Sequence, residues 1–119
     1  MILNVAPCSK PRMTQRDRWA KRQCVVDFFA FRDRIKQLLK ENDALSNWDE
    51  LVIIFLVPMP NSWSKKKKAL MAGQPHQQRP DLDNYLKGLF DATHEEDATI
   101  WKVTASKIWT DGAGQIIIN

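Results

Sequence analysis

The chain is organised around a single stretch, which reads Arg79-Pro80-Asp81-Leu82-Asp83-Asn84-Tyr85-Leu86-Lys87-Gly88-Leu89-Phe90-Asp91. Its large apolar residues recur at helical spacing and would form one buried stripe, namely Leu82, Leu86, Leu89 and Phe90. A proline suits the start of a helix, and an aspartate can cap the first turn. The pattern therefore predicts an amphipathic helix that begins beside two carboxylates, those of Asp81 and Asp83.

The charged residues of this stretch have two interpretations. Asp83, Lys87 and Asp91 lie four residues apart, and side chains at that spacing are neighbours on a helix. On an ordinary surface they would be a cap and solvated ion pairs. If Asp81 lies just before the helix, its carboxylate can turn towards Asp83, and two oxygen donors beside a lysine indicate a metal that handles phosphate. An Asp-x-Asp pair alone does not decide between the two.

The composition bounds the class of protein. The chain has 119 residues, of which 44% are hydrophobic and 27% charged, which is typical of one soluble globular domain over residues 1–119. Cys8 and Cys24 are the only cysteines and have no zinc-site spacing, so free thiols are expected. The N-terminus does not resemble a signal peptide and no apolar run reaches membrane-spanning length. We therefore expect a cytoplasmic protein with no membrane partner.

Basic residues are clustered, and the net charge of +4 favours a polyanionic partner. Arg12 and Arg16 belong to a basic segment that would either contact phosphates or form a solvated face. The run Lys65, Lys66, Lys67 and Lys68 would begin a short helix capped by Ser62 or Ser64. Four adjacent ammonium groups repel one another unless a polyanion neutralises them, so a nucleic-acid contact is favoured there. For the neighbouring Trp63, core packing is favoured over stacking on a base, and His76 is expected to be a polar loop residue.

The remaining patterns predict an α/β (α+β) fold, with one mixed sheet flanked by helices. The apolar run 51–57 is typical of a central strand buried on both faces. The other predicted elements are a strand at 2–6, a helix at 25–41, a strand at 99–110 and a final strand at 115–118 that is antiparallel to its predecessor. Trp101, Val103, Ala105 and Trp109 share one face of the strand at 99–110. Lys107 interrupts that face and would either extend to solvent or point at a phosphate.

A third carboxylate stands before the strand at 99–110. Asp97 ends a short acidic connection, and the sheet could bring it to the start of the Asp81–Asp83 helix. Three converging carboxylates repel one another unless a divalent cation lies among them. Mg²⁺ or Mn²⁺ fits such oxygen ligation, whereas zinc would require histidine or cysteine.

The segment from Ser62 to Trp109 resembles the RusA family of Holliday-junction resolvases, including the versions carried by bacteriophages and prophages. The matching pieces are the Ser-Trp-Ser-Lys-Lys-Lys-Lys run, Arg79-Pro-Asp-Leu-Asp-Asn-Tyr-Leu-Lys87, Phe90-Asp-Ala, Glu96-Asp-Ala-Thr-Ile and Ala105-Ser-Lys107. The Arg-Pro-Asp-Leu-Asp-Asn core is quite specific, and the later pieces are weaker but follow in the right order.

The resemblance implies a metal-dependent endodeoxyribonuclease of a bacterial cell that resolves four-way DNA junctions in recombination and repair, without an organic cofactor. It implies an acidic cluster of Asp81, Asp83 and Asp97, a catalytic Lys87, roles near phosphate for Arg79 and Lys107, and a homodimer with a mixed sheet. Paired nicks on a nearly twofold junction need two sites related by a twofold axis.

The chain departs from the family pattern in one place, because the link from Phe90 to Asp97 is several residues shorter than in better-known members. Glu95 or Glu96 could therefore share the task of Asp97, while a cap or salt bridge is favoured for Asp91. Two rival functions stay open. One is a non-catalytic basic DNA-binding protein with structural aspartates, and the other is a nuclease of this fold that cuts other branched or single-stranded DNA.

Overall fold

The computed structural model describes residues 1–12, 22–42, 50–93, 98 and 100–119. In chain order its elements are β1 (Ile2–Leu3), α1 (Gln23–Asn42), β2 (Glu50–Pro58), α2 (Lys65–Met71), α3 (Leu82–Thr93), β3 (Lys102–Thr110) and β4 (Gln115–Ile118). The predicted helix at 25–41 and the helix after Asp81 are confirmed as α1 and α3. Both predictions rested on apolar periodicity, which is a local property of the chain.

The four strands form one mixed sheet in the order β1-β4-β2-β3. β2 and β3 are parallel over their whole length, from Glu50 beside Lys102 to Pro58 beside Thr110. β4 is antiparallel to β2 and to β1. A mixed four-stranded sheet with three helices makes this a single α+β domain, and the predicted fold class is confirmed.

The core lies between α1, α3 and one face of the sheet. Alternate residues of β2 are buried, as are the residues of α1 that recur every three or four positions, and both sets belong to one cluster: Leu51, Ile53, Phe55, Val57, Phe28, Phe31, Ile35 and Leu38. From α3, Tyr85 stacks on Phe55 with ring centroids 5.4 Å apart, and Leu89 is fully buried. The helix that follows Asp81 is therefore fixed to the middle of the sheet.

Two expectations about the strands are wrong in detail. β2 is buried on one face only among the described residues, because Val52 on its other face is 43% exposed. β4 is antiparallel to β3 in direction, as predicted, but it pairs with β2 and not with its predecessor. The turn at 111–114 therefore carries the chain across the end of β2. There, a side chain on Gly114 would come within 2.8 Å of the Cα of Ala6.

Two predicted strands are shorter than expected. β1 ends at Leu3, several residues before Pro7. β3 begins at Lys102, so that Trp101 lies outside it and is 71% exposed. Of the face that was predicted to be apolar, Trp109 is buried and Ala105 half-buried, while Val103 is 38% exposed. Within the described ranges, no helix is long and apolar enough to cross a membrane.

Candidate metal and DNA-binding site

The two carboxylates of the organising stretch lie at the start of α3. The carbonyl oxygen of Asp81 accepts hydrogen bonds from the backbone N–H groups of Asn84 (3.1 Å) and Tyr85 (3.3 Å). Asp81 is therefore the residue that precedes the first helical turn, which is one of the two placements that the sequence left open, and Asp83 lies within that turn. Both residues are exposed. Their carboxylates are thus free to meet a ligand from solvent.

A small cleft opens beside this helix start. It is lined by Arg79, Pro80, Asp81 and Asn84 and has a volume of about 380 Å³. A carboxylate and an amide oxygen can ligate a hard cation, and a guanidinium can bind a phosphate through paired N–H donors. Residue types that can ligate a metal ion and a residue type that can bind phosphate therefore line the same cleft.

Lys107 holds the loop that leads to the cleft. Its ammonium donates hydrogen bonds to the carbonyl oxygens of Gln78 (2.6 Å) and Pro80 (2.8 Å). The resemblance gave Lys107 a role near phosphate, which stays a prediction. These two bonds use two of its three N–H donors for the backbone immediately before Asp81. The position of Asp81 therefore depends on a side chain from β3, the strand that the Asp97 segment precedes.

The same loop runs antiparallel along the edge of β3, where Pro75 pairs with Ile108 in an isolated β-bridge. Backbone hydrogen bonds join Gly73 N–H to the Trp109 carbonyl (2.9 Å), Trp109 N–H to the Gln74 carbonyl (3.0 Å) and His76 N–H to the Lys107 carbonyl (3.0 Å). These bonds satisfy groups that an edge strand would otherwise expose. They also fix how residues 73–76 are aligned with β3, and the loop continues from there to Asp81.

His76 is a loop residue, as predicted, but it is buried. Only 4% of its surface is exposed, and its ring centroid lies 4.3 Å from that of Trp109 and 6.5 Å from that of Tyr85. Burial, and then the charge of Lys107, lower the pKa of the imidazole below its ordinary value. Its Nδ1 has no hydrogen-bond partner within the part of the chain that the structure describes. A neutral imidazole therefore packs behind the loop that carries the site.

The outer face of α3 carries the charged series that the sequence singled out. Lys87 is exposed one turn after Asp83. Asp91, one turn further, accepts a 3.2 Å salt bridge from the ammonium of Lys10. The salt-bridge role favoured for Asp91 is confirmed. The N-terminal segment reaches α3 here at Gly88, where an added Cβ would lie 2.5 Å from the carbonyl oxygen of Cys8.

A second cleft, of about 490 Å³, lies between the N-terminal segment, α1 and α3. Its lining includes Arg12, Arg22 and Pro80, and Pro80 also borders the first cleft, so the two clefts adjoin. The Arg22 guanidinium donates a 2.6 Å hydrogen bond to the Arg12 carbonyl. Burial raises the pKa of the Cys8 thiol, and the charges of Asp27 and Cys24 add to this. Cys8 therefore stays protonated at neutral pH and is not an activated nucleophile.

The lysine run forms α2. Ser64 caps this helix, because its hydroxyl accepts a 3.1 Å hydrogen bond from the Lys67 N–H. Trp63 lies 4.8 Å from Trp109, ring centroid to centroid, and the Lys67 ammonium lies 4.1 Å above the Trp63 ring. Trp63 therefore packs against the core, which is the role that the sequence favoured. Lys65, Lys66 and Lys67 are exposed and Lys68 is half-buried.

Not every predicted site residue falls within the described ranges. Asp97, Glu95, Glu96 and Arg16 lie outside them. Of the other predicted residues, Arg79 and Asp81 line one cleft and Arg12 lines the adjoining cleft. Among the described residues, no three His, Cys, Asp or Glu side chains come together in a group that could hold a metal ion. Sequence reasoning missed the burial of His76 and the two hydrogen bonds of Lys107, since both depend on the pairing of residues 73–76 with β3.

A comparison with known protein families tests the resemblance to the RusA family. The family profile described as Endodeoxyribonuclease RusA matches residues 5–119, nearly the whole chain. The chain belongs to the RusA family. Membership makes it an endodeoxyribonuclease-family protein, and it implies DNA binding and the resolution of Holliday junctions in recombination. No curated protein matches the chain.

RusA membership indicates the use of a divalent metal, and the residues at the start of α3 fit such an ion. Mg²⁺ is usually bound by one or two carboxylates together with waters and substrate phosphates. Asp81 and Asp83 are exposed and stand on either side of the α3 boundary, and Asp81 lines a cleft together with Asn84 and Arg79. Oxygen donors of this kind suit Mg²⁺ or Mn²⁺ and not zinc.

Proposed function

We propose that this RusA-family chain is a Mg²⁺-dependent endodeoxyribonuclease, with Mn²⁺ as the alternative ion, that resolves four-way DNA junctions by paired symmetric nicks. We further infer that residues 1–119 act as one RusA-like endonuclease domain and that two copies form the working unit. The observation that carries the proposal is the exposed Asp81 at a cleft that is also lined by Arg79, with the exposed Asp83 two residues further on, within an endodeoxyribonuclease family.

The chain's own residues divide the work. Asp81, Asp83 and Asp97 would hold the ion, which when bound supplies an activated water and stabilises the leaving oxygen. Arg79 binds a phosphate oxygen of the strand to be cut. Lys107 keeps Asp81 in place through the carbonyl of Pro80. Because Asp81 is already held in position, less conformational entropy has to be lost when the transition state forms.

Lys87 acts on the reacting phosphate. Its side chain emerges one turn after Asp83 on the same exposed face, so its ammonium can offset the negative charge that develops on phosphate in the transition state. Losing such a group costs about two to three decades of rate. Asp91 has no such task in this scheme, because it pairs with Lys10.

The lysines of α2 and the arginines of the second cleft extend the DNA surface beyond the cleavage site. Lys65, Lys66 and Lys67 present exposed ammonium groups on a capped helix. Arg12 lines the cleft that adjoins Arg79 and Asp81 through Pro80, and Arg16 would continue this basic segment. Phosphate contacts of this kind position DNA without reading its bases.

The test is to incubate the purified protein with a labelled four-way junction, with and without Mg²⁺. Asp83→Asn should abolish cleavage while preserving or tightening binding, because it removes one negative charge beside the DNA and leaves every lysine in place. Asp91→Asn is the matched control on the same helix. It loses only an exposed salt bridge and should cut at close to the wild-type rate.

The products separate the proposal from its rivals. Paired symmetric nicks that require the metal support junction resolution. Binding without cleavage would support a non-catalytic DNA-binding protein, and cleavage of flaps or single strands would support a nuclease with another substrate. If Asp83→Asn cuts as fast as the wild type, the assignment of the metal site is wrong.

A further inference from the structure

The loop before Asp81 is held at both ends by one residue of β3. At its start, the backbone N–H of His76 donates a 3.0 Å hydrogen bond to the carbonyl oxygen of Lys107. At its end, the Lys107 ammonium donates a 2.8 Å hydrogen bond to the carbonyl oxygen of Pro80. We call residues 76–80 the site loop. Because the site loop ends at the residue before Asp81, its conformation determines where Asp81 lies.

His76 is the side chain that fixes this loop to the body of the protein. The residues on both sides of it, 72–75 and 77–79, are exposed, whereas His76 is 4% exposed. Its imidazole lies 4.3 Å from the ring of Trp109 on β3 and 6.5 Å from the ring of Tyr85 on α3, centroid to centroid. Within residues 72–79, all of which the structure describes, no other side chain is buried.

Tyr85 gives His76 a second connection to the candidate metal site. The backbone N–H of Tyr85 donates a 3.3 Å hydrogen bond to the carbonyl oxygen of Asp81, and its ring stacks on Phe55 of β2 at 5.4 Å. The imidazole therefore contacts a residue of the first turn of α3 and also belongs to the loop that precedes this turn. A displacement of the His76 ring would disturb the backbone on both sides of Asp81.

Packing alone does not explain why this position holds a histidine. The Nδ1 atom of His76 is buried and has no hydrogen-bond partner within the described ranges. Buried polar atoms are normally hydrogen-bonded, and an unpaired one lowers the stability of the fold. A phenylalanine would offer a ring to Trp109 and Tyr85 without this cost. An exception of this kind therefore calls for an explanation in the function of the protein.

We propose that His76 is a positioning residue of the cleavage reaction, whose uncharged imidazole holds the site loop in the conformation that cleavage requires. Uptake of a proton by the imidazole releases the loop and displaces Asp81. This inference rests on the proposed function, in which Asp81 is a metal ligand. His76 itself contacts neither the ion nor the DNA in this scheme, and it acts through the backbone of the site loop.

The surroundings of the imidazole do not accommodate a positive charge. A protonated ring carries an N–H on both nitrogens, and the one on Nδ1 would have no acceptor among the described residues. The charged group that acts on the ring is the Lys107 ammonium of β3, and burial and this charge lower the pKa of His76. From α3 the ring faces the Tyr85 phenol, whose pKa is raised by burial, so that it stays neutral. Trp109 carries no charge. A protonated ring therefore moves out towards solvent.

Substitutions at His76 test the positioning role. His76→Ala should lower the single-turnover rate at saturating junction by about ten- to a hundredfold near pH 8, because a misplaced ligand affects the reacting geometry. The Kd for the junction should change by less than about threefold, since binding depends on the lysines and arginines. His76→Phe keeps a packed ring and should restore most of the rate. Gln77→Ala, an exposed neighbour on the same loop, is the matched control and should cut like the wild type.

The pH profile of cleavage tests the role of the proton. The ordinary pKa of 6.5 is lowered in the folded protein, so the wild type should lose activity steeply below pH 6.5. Acid also lowers the supply of hydroxide in any metal-assisted hydrolysis, and His76→Phe measures that general loss. The difference between the two profiles belongs to His76. Identical profiles would overturn the proton-linked release, and a folded His76→Ala protein that cuts at the wild-type rate would overturn the positioning role.

Amide hydrogen exchange gives a readout that does not depend on nuclease activity. The backbone N–H groups of His76 and Trp109 are hydrogen-bonded between residues 73–76 and β3. After correction for the intrinsic exchange rate, their protection in the wild type should fall between about pH 8 and pH 5, while the amides of β2 stay protected. His76→Phe should keep its protection at both values. Equal protection of the wild-type loop at the two values would contradict the inference. If the loop opens in acid but the wild type cuts no junction, the proposed function is wrong and the role of His76 in holding the loop stands.

Discussion

At the scale of single residues, the site depends on a lysine that acts through the backbone. The Lys107 ammonium donates to two carbonyl oxygens on the loop before Asp81, and the residue is only half-buried. Charge-assisted hydrogen bonds of this kind contribute roughly 1.5–3 kcal/mol each before solvent screening is taken into account. The two bonds therefore matter more for where Asp81 lies than for the total stability of the fold.

Lys107→Met should lower the cleavage rate by about ten- to a hundredfold, because a misplaced ligand affects the reacting geometry more than the overall fold. Its free energy of unfolding should fall by about 1–3 kcal/mol. Single-turnover cleavage and urea unfolding measure the two effects. Lys102→Met is the control on the same strand and should retain wild-type cleavage. A Lys107→Met protein that cuts at the wild-type rate would show that the loop does not need this contact.

His76 makes the stability of the folded state depend on pH. Its pKa in the folded protein is lowered, by burial first and by Lys107 second, from an ordinary value of 6.5. As the pH falls through 6.5, the unfolded chain binds a proton that the folded protein does not, so the free energy of unfolding decreases. The stabilisation is complete above pH 6.5 and is lost below it.

The measurement is urea unfolding at a series of pH values on both sides of 6.5, the ordinary pKa of histidine. Wild type should lose stability on the acid side, and His76→Gln should lose much less because no imidazole remains to be protonated. His94→Gln removes the other histidine of the chain, and its profile shows whether the acid-side loss belongs to His76. An identical acid-side loss in His76→Gln would mean that another group carries the effect.

At the scale of elements, α2 is a short helix with four adjacent lysines and no buried residue. Its cap and the packing of Trp63 against Trp109, with the rings tilted, hold it against the body of the protein. Each lysine that contacts a phosphate releases counterions, and this makes binding weaker as salt is added. The helix therefore contributes to DNA affinity through its charge and much less through its packing.

Replacing Lys65, Lys66, Lys67 and Lys68 by glutamine should reduce the salt dependence of junction binding. The slope of log K against log salt should become less negative by about 0.9 for each lysine that contacts a phosphate of duplex DNA. Fluorescence anisotropy at several salt concentrations measures this slope. A control with Lys36→Gln and Lys40→Gln, both exposed on α1, should leave it unchanged. An unchanged slope in the α2 variant would remove this helix from the DNA surface.

The elements differ in how far the sequence predicts them. α1, α3 and β2 were predicted within a few residues, because apolar periodicity and composition are properties of the segment itself. The pairing of β4 with β2, and of residues 73–76 with β3, joins segments that are far apart in the chain. Local patterns do not encode such contacts. The two hydrogen bonds of Lys107 and the burial of His76 are therefore known only from the structure.

At the scale of the whole molecule, the same limitation applies to the face of β2 that carries Val52. A continuous apolar strand has one composition whether its second face is covered by a helix of the same chain or by another copy. The sequence therefore predicted burial on both faces, and among the described residues only one of them is buried. Within the candidate site, Asp81, Asp83 and Lys87 could be proposed from the sequence because they lie on one local motif, whereas a role for Asp97 depends on the fold, and all four assignments stay predictions.

If two copies act together, each should make one of the two nicks. A hybrid dimer of one wild-type and one Asp83→Asn subunit, isolated with two different affinity tags, should then nick a four-way junction once and leave it unresolved. Native and denaturing gels distinguish a singly nicked junction from resolved duplexes. A hybrid that carries Asp91→Asn in place of Asp83→Asn has two intact sites and should resolve normally, because Asp91 pairs with Lys10 and holds no metal in this scheme. Full resolution by the Asp83→Asn hybrid would mean that one site can make both nicks, and the requirement for a twofold pair of sites would be lost.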